Sequence, residues 1–158
     1  MIILRANGVA VLQTPVTVAD DAPKQANAPD VVQWRHPERH PLMRPYQNDL
    51  ISVMGDSAYL YVQMRLGKTP LSLIAAKGLA KTIVVCPAFL VSQWKAEAER
   101  WTPGQVTEVY SYGKVPKAVE GEYALIVDEA AAIKSVGSKR TQAVALLSVA
   151  AKRRYLLS

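Results

Sequence analysis

From about residue 44 the apolar positions fall into two alternating patterns. Short runs with little polar interruption read as strands: YLYVQ (59–63), TIVVC (82–86), VTEVYSY (106–112), YALIV (123–127) and RRYLLS (153–158). Between them the apolar residues recur at helical spacing. RPYQNDLISVM (44–54) predicts a helix that stops at Gly55, and TPLSLIAAKGLA (69–80) a second, with Pro70 tolerated in its first turn. In FLVSQWKAEAERW (89–101), Leu90, Trp94, Ala98 and Trp101 form one stripe. SKRTQAVALLSVAA (138–151) predicts a helix with Ser138 as N-cap. Short strands separated by helices imply an α/β fold, a parallel sheet covered by helices on both faces.

The chain before this region is different. Residues 2–17 alternate loosely around an Asn7-Gly8 turn signal, so a small β-hairpin is expected over 1–17. Residues 18–40, containing ADDAPKQANAPD, are small, polar and punctuated by proline, as in a linker or extended segment. The domain proper is expected over 41–158.

Parallel sheets place ligands beyond the carboxyl ends of their strands, so the residues that follow each strand matter most. After YLYVQ comes Met64-Arg65-Leu66-Gly67-Lys68-Thr69, opening a helix. A phosphate-binding loop is usually Gly, four residues, then Gly-Lys-Ser/Thr. Val62 stands where the first glycine would be. Backbone N–H groups at a helix start attract phosphate, Lys68 adds a charge for the β/γ-phosphates, and the Thr69 hydroxyl suits Mg²⁺. After YALIV come Asp128 and Glu129. One such carboxylate can hold a Mg²⁺ shell while its neighbour orients or deprotonates an attacking water. Either half alone is weak; the two in this order point to ATP and Mg²⁺.

Composition narrows the setting. Half of the residues are apolar and 20% are charged, the balance of an ordinary soluble globular domain. No apolar run approaches the ~20 residues needed to cross a bilayer, and MIILRANGVAVLQTP has no basic start ahead of a long apolar core. Cys86 is the only cysteine, so no internal disulfide forms and a reducing compartment, the cytoplasm, is expected. His36 and His40 flank Glu38 in a loop that offers too few ligands for a metal. The net charge of +6 is one-sided: all 13 acids lie before residue 130, whereas Lys134, Lys139, Arg140, Lys152, Arg153 and Arg154 follow with no acid. Two readings stand, a polyanion partner or a solvated helix face with a basic turn.

The order and wording of these pieces resemble the N-terminal RecA-like lobe of superfamily-2 helicase-like ATPases, specifically the Swi/Snf class of DNA translocases. That class commonly writes the loop D-E-M-G-L-G-K-T, which already lacks the first glycine, and Val62 to Thr69 fits that variant. The resemblance runs from about residue 41 to the last residue. Leu42 to Gln47 is similar to the adenine-reading segment L-R-P-Y-Q, with one extra residue before the arginine. VVCPAFLVSQWKAEAERW (84–101) is similar to V-C-P-x-x-L-x-x-Q-W-x-x-E-x-x-x-W, and Ser111-Tyr112 to a later S-Y motif. Asp128 to Ser135 resembles D-E-A-H-R-I-K-N, and Arg154 to Ser158 the strand entering S/T-G-T-P.

The resemblance implies an ATP hydrolase with Arg65, Leu66, Gly67, Lys68 and Thr69 on the phosphates and Gln47 on adenine. Thr69 and Asp128 would hold Mg²⁺, and Glu129, with Lys68, would serve catalysis. Pro87, Ala88 and Phe89 would meet the DNA backbone, joined by Lys134, Lys139 and Arg140 and independent of base sequence. Lys152 and Arg153 precede the last strand, at the opposite end of the sheet, and are not assigned to DNA. Trp94 and Trp101 share the helix stripe and are read as core. The compact build resembles phage or bacterial members, which would put a viral protein in the host cytoplasm.

Two departures qualify the expectation. Ala131 stands where the D-E-A-H wording has histidine, so coupling between the nucleotide and DNA sides is in question while Mg·ATP binding is not. The chain ends within the S/T-G-T-P motif, and such motors need a second RecA-like lobe, in cis or in trans. The 158 residues alone are therefore expected to bind Mg·ATP with little turnover. The alternatives are a non-catalytic nucleotide- or DNA-binding module and the translocase subunit of a restriction system.

Overall fold

The computed structural model describes residues 2–5, 40–61, 66–133, 135 and 137–158. Arg65, Lys134, His36 and most of the hairpin and linker expected over 1–40 lie outside the described residues. The elements run β1 (Ile2–Arg5), α1 (Pro45–Val53), β2 (Ser57–Tyr61), α2 (Lys68–Ala76), β3 (Lys81–Cys86), α3 (Val91–Trp101), β4 (Thr107–Ser111), β5 (Tyr123–Val127), α4 (Lys139–Ala150) and β6 (Arg153–Leu157). Short 3₁₀ turns at Ala88–Leu90 and Ala130–Ile133 follow β3 and β5. Among the described residues no helix is long and apolar enough to cross a membrane.

The described strands form one sheet in the order β1-β2-β6-β5-β3-β4, every neighbouring pair parallel. This is the expected α/β architecture. Its helices lie on both faces. On one, α1, α2 and α3 bury Ile51, Leu71, Leu73, Trp94 and Ala98 against Leu60, Val84, Cys86, Ile126 and Leu157. On the other, α4 presses Val144 and Leu147 onto Ile83, Val85, Leu125 and Val127. β3 and β5 therefore read as unbroken apolar runs because both of their faces are covered. Ile2–Arg5 extends the sheet as an edge strand parallel to β2.

Expected and observed boundaries agree closely except at the end of α2. The apolar pattern carries the helix to residue 80, but it stops at Ala76, because Gly78 turns left-handed at φ +94°. Within α2, every residue from Pro70 to Ala76 is buried. A helix buried all round is an interior helix; its first two residues, Lys68 and Thr69, are half-buried and Pro70 begins the packed part.

β6 also ties down two helix ends. Consecutive side chains on a strand point to opposite faces, and Arg153 and Arg154 use that alternation. The Arg153 guanidinium donates to the carbonyls of Ala75 (3.0 Å) and Lys77 (2.8 Å), closing the end of α2, and pairs with Asp56 at 3.7 Å. Arg154 donates to the carbonyls of Ser148 and Val149 at the end of α4. A cation on the last carbonyls of a helix satisfies orphan acceptors and favours the dipole. Lys152 makes a solvent-exposed pair with Glu122 at 3.3 Å. Three of the six cations in the basic tail are thus engaged within the protein, at the amino end of the sheet.

These contacts predict unequal effects. Arg153→Ala should lower stability by about 1.5–3 kcal/mol, the value of hydrogen bonds from a charged donor. Lys152→Ala should change it by less than about 0.5 kcal/mol, as for an exposed pair. Urea unfolding of the two variants, with unchanged m, measures the difference.

Candidate nucleotide site

The two candidate motifs meet through strand register. Tyr59 of β2, Leu156 of β6 and Val127 of β5 lie opposite one another across three strands. The chain leaves β2 and β5 in the same direction, so the turn before α2 and the Asp128-Glu129 pair emerge at one edge of the sheet. With one strand between them their exits stand about 10 Å apart. Side-chain parity sets the face as well. Val127 faces α4 while Ala124 and Ile126 face α2, so Asp128, one residue on, returns to the α2 side. Lys68 and Thr69 at the start of α2 share both its edge and its face.

Gly67 is the N-cap of α2 at φ +81°. The close neighbour is Gln47, whose Nε2 would stand 2.3 Å from a Cβ added there. Gln47 is 7% exposed and its amide is engaged at both ends. Oε1 accepts from the Arg44 N–H at 2.8 Å, helping to cap α1, and Nε2 donates to the Leu66 carbonyl at 3.2 Å. The Tyr46 hydroxyl reaches the same carbonyl at 3.3 Å. Gln47 is thus no exposed helix residue; it fastens α1 to the end of the loop. With the Leu66 carbonyl turned to Gln47 and Tyr46, the groups left for an anion are the N–H groups of the first turn, which have no acceptor inside the helix.

Asp128 is braced from several directions. Its N–H donates to the Val85 carbonyl at 2.9 Å, and its Oδ1 accepts from the Glu129 N–H at 3.0 Å. Oδ2 accepts from the indole N–H of Trp94, 2% exposed, at 2.8 Å. Glu129 is exposed and adopts φ +53°, unusual for a residue with a long side chain. The Tyr112 hydroxyl holds this bend, donating to the Asp128 carbonyl at 2.6 Å and lying 3.3 Å from that of Glu129. Burial first, and then the Asp128, Cys86 and Glu129 charges, push that phenol well above its ordinary range, so it stays a donor. Burial and then Asp128 push the Cys86 thiol up from 9.0 to about 11.

Other expected site residues fall around this edge. Pro87, Ala88 and Phe89 form the turn after β3, with Phe89 79% exposed. Lys139 and Arg140 are exposed at the start of α4, which runs back from the same edge. Two cations there oppose the positive end of the helix dipole, with no acid in the first turn. Trp101 bonds Glu97 on its own helix at 2.7 Å and lies against His40 at 5.6 Å. Among the described residues no group of three or more His, Cys, Asp or Glu could cage a metal. The Thr69 hydroxyl and Asp128 carboxylate are hard oxygen donors, a set that suits Mg²⁺ completed by phosphate and water. The sequence does not show the bracing roles of Trp94 and Tyr112: Trp94 reads as a core ring and Tyr112 as part of the S-Y resemblance. The only advance signal was that a buried indole N–H or phenol needs a partner.

Two predictions test this geometry. Gly67→Ala should cost at least about 1 kcal/mol from the left-handed backbone alone. Adding Gln47→Ala should remove the steric part, so the double variant is less destabilised than the sum, as a double-mutant cycle will measure. For Cys86 the native state favours the neutral thiol, so its contribution is complete below about pH 9 and lost as pH rises through about 11. Urea unfolding across that window should show a decline that is shallower in Cys86→Ala.

No protein-family profile matches this chain, and no curated protein matches it. Among solved structures, the chain is similar to the Sulfolobus solfataricus SWI2/SNF2 ATPase core in complex with dsDNA, at 26% sequence identity and a TM-score of 0.62. The match covers 73% of this chain and 31% of that one, so this chain spans about a third of that structure's length. The parallel sheet, the helices on both faces and this likeness make the fold RecA-like, and its similarity is to a Swi/Snf-type ATPase core.

Proposed function

We propose that this chain is the ATP-binding lobe of an ATP-dependent DNA translocase of the Swi/Snf type. The observation that carries the reading is the shared edge and face of Gly67–Thr69 and Asp128–Glu129, in a chain similar to a SWI2/SNF2 ATPase core. In this reading Arg65 to Thr69 cradle the triphosphate, and Lys68 neutralises charge on the β/γ-phosphates. Thr69 would hold Mg²⁺ and Asp128 would hold it through water, and the ion would draw charge from the reacting phosphate. Glu129 orients and deprotonates the attacking water. Gln47 reads adenine with the donor and lone pair left over after its bonds to the Leu66 carbonyl and the Arg44 N–H.

Nucleic acid would lie along the same edge, against Pro87, Ala88, Phe89, Lys134, Lys139 and Arg140. A phosphate at the start of α4 would turn the unfavourable placing of Lys139 and Arg140 into a favourable one. The structural neighbour is in complex with dsDNA, which supports this partner. A second RecA-like lobe, in cis or in trans, would close over the nucleotide and supply arginines worth roughly 10³–10⁵ in rate. One observation favours a second reading, a nucleotide- or DNA-binding module without motor activity. Ala131, exposed in the turn after Asp128-Glu129, has no side-chain polar group with which to couple the two sides.

ATP turnover and nucleotide binding, with and without duplex DNA, on wild type and Lys68→Ala, separate the two readings. The motor lobe predicts that the 158 residues bind Mg·ATP, that Lys68→Ala abolishes binding, and that slow turnover rises when a second lobe and DNA are supplied. Binding unaffected by Lys68→Ala would overturn the site.

A further inference from the structure

α3 carries two tryptophans whose indole N–H groups are used differently. Trp101 spends its N–H on Glu97, four residues away on its own helix. Trp94 sends its N–H out of the helix to Oδ2 of Asp128, at the end of β5. Trp94 is 2% exposed and Asp128 half-buried, so the indole side of that bond is shielded from water. A phenylalanine would fill much of the same core volume. Packing explains the ring; it does not explain the indole nitrogen.

The Asp128 carboxylate is held by one donor on each oxygen, Trp94 on Oδ2 and the Glu129 N–H on Oδ1 at 3.0 Å. Two donors on different atoms fix both side-chain torsions and the plane of the group. An ionised carboxylate has about four lone-pair positions, so each oxygen keeps one for a further partner. The two donors come from different elements, so neither can shift the plane without working against the other. Such outer contacts orient a ligand and tune its affinity for a metal.

We propose that Trp94 is a positioning residue: its indole N–H sets the Asp128 carboxylate in the orientation that receives the water shell of a nucleotide-bound Mg²⁺. This rests on the nucleotide reading above and adds to it a residue outside both motifs. Trp94 also joins the acid pair to the turn that bears exposed Phe89, since α3 begins where that turn ends.

The test uses the full chain and its Trp94→Phe variant, with binding of a fluorescent ATP analogue followed in EDTA and across a Mg²⁺ titration. Removing an outer-shell partner typically weakens metal affinity about 10- to 100-fold. The variant should bind the metal-free analogue like wild type while its Mg²⁺ midpoint rises about 10-fold or more. A merely structural role would leave that midpoint in place. A midpoint within about two-fold of wild type overturns the role of Trp94 and leaves the nucleotide site standing. Failure of wild type to bind the analogue at all removes the nucleotide reading and this inference with it. Should Trp94→Phe not fold, the wild-type indole ¹⁵N–¹H signals provide the measurement, assigned by elimination with Trp34→Phe and Trp101→Phe. The Trp94 signal should move when Mg²⁺ is added to the nucleotide complex, and a signal that stays still overturns the proposal.

Discussion

Parallel pairing across β2, β6 and β5 is the constraint on which the rest of the molecule depends. It turns three chain directions into one common edge and lets side-chain parity choose a common face. The Lys68-Thr69 pair and Asp128 are far apart in sequence, and no bond described between them brings them together. They share an edge because backbone hydrogen bonds hold Tyr59, Leu156 and Val127 in line. Apolar cores on both sides then make any one-residue slip costly, since it would turn every buried residue of a strand to the wrong face.

Around that edge the polar contacts do a narrower task. Gln47 fixes the end of the loop from α1, Trp94 fixes the Asp128 carboxylate from α3, and Tyr112 fixes the main chain behind Glu129 from the end of β4. Three separate elements therefore converge on the two motifs. The link from β4 runs through main-chain carbonyls, so it does not depend on which side chain stands at position 131.

Much of this was legible in the sequence for a physical reason. Strands buried on both faces must be apolar throughout, and helices between them must repeat every three to four residues, so element types and most limits could be read directly. The rule that ligands sit beyond strand ends directs attention to the residues that leave β2 and β5, the candidate site. What stayed hidden was long-range pairing. Arg153 and Arg154 count in sequence toward a basic tail, read either as a polyanion site or as a solvated face with a basic turn, because sequence does not say which carbonyls lie beside a guanidinium. Gln47 and Trp94 were read by type, as an adenine reader and a core ring. Their partners Leu66 and Asp128 lie 19 and 34 residues away. Loose alternation over residues 2–17 suggests a hairpin, but nothing local tells that Ile2–Arg5 lies beside β2.

The position of β6 has a consequence for synthesis. This strand is made after the five other described strands, yet it sits in the middle of the sheet. Until residues 153–157 leave the ribosome, the nascent chain can assemble only two separate ribbons, β1-β2 and β5-β3-β4, each with a raw inner border. Such borders are templates for adhesion to other chains, and pairings this distant in sequence form slowly. The molecule is sealed from its centre, and its most vulnerable moment comes just before that strand arrives.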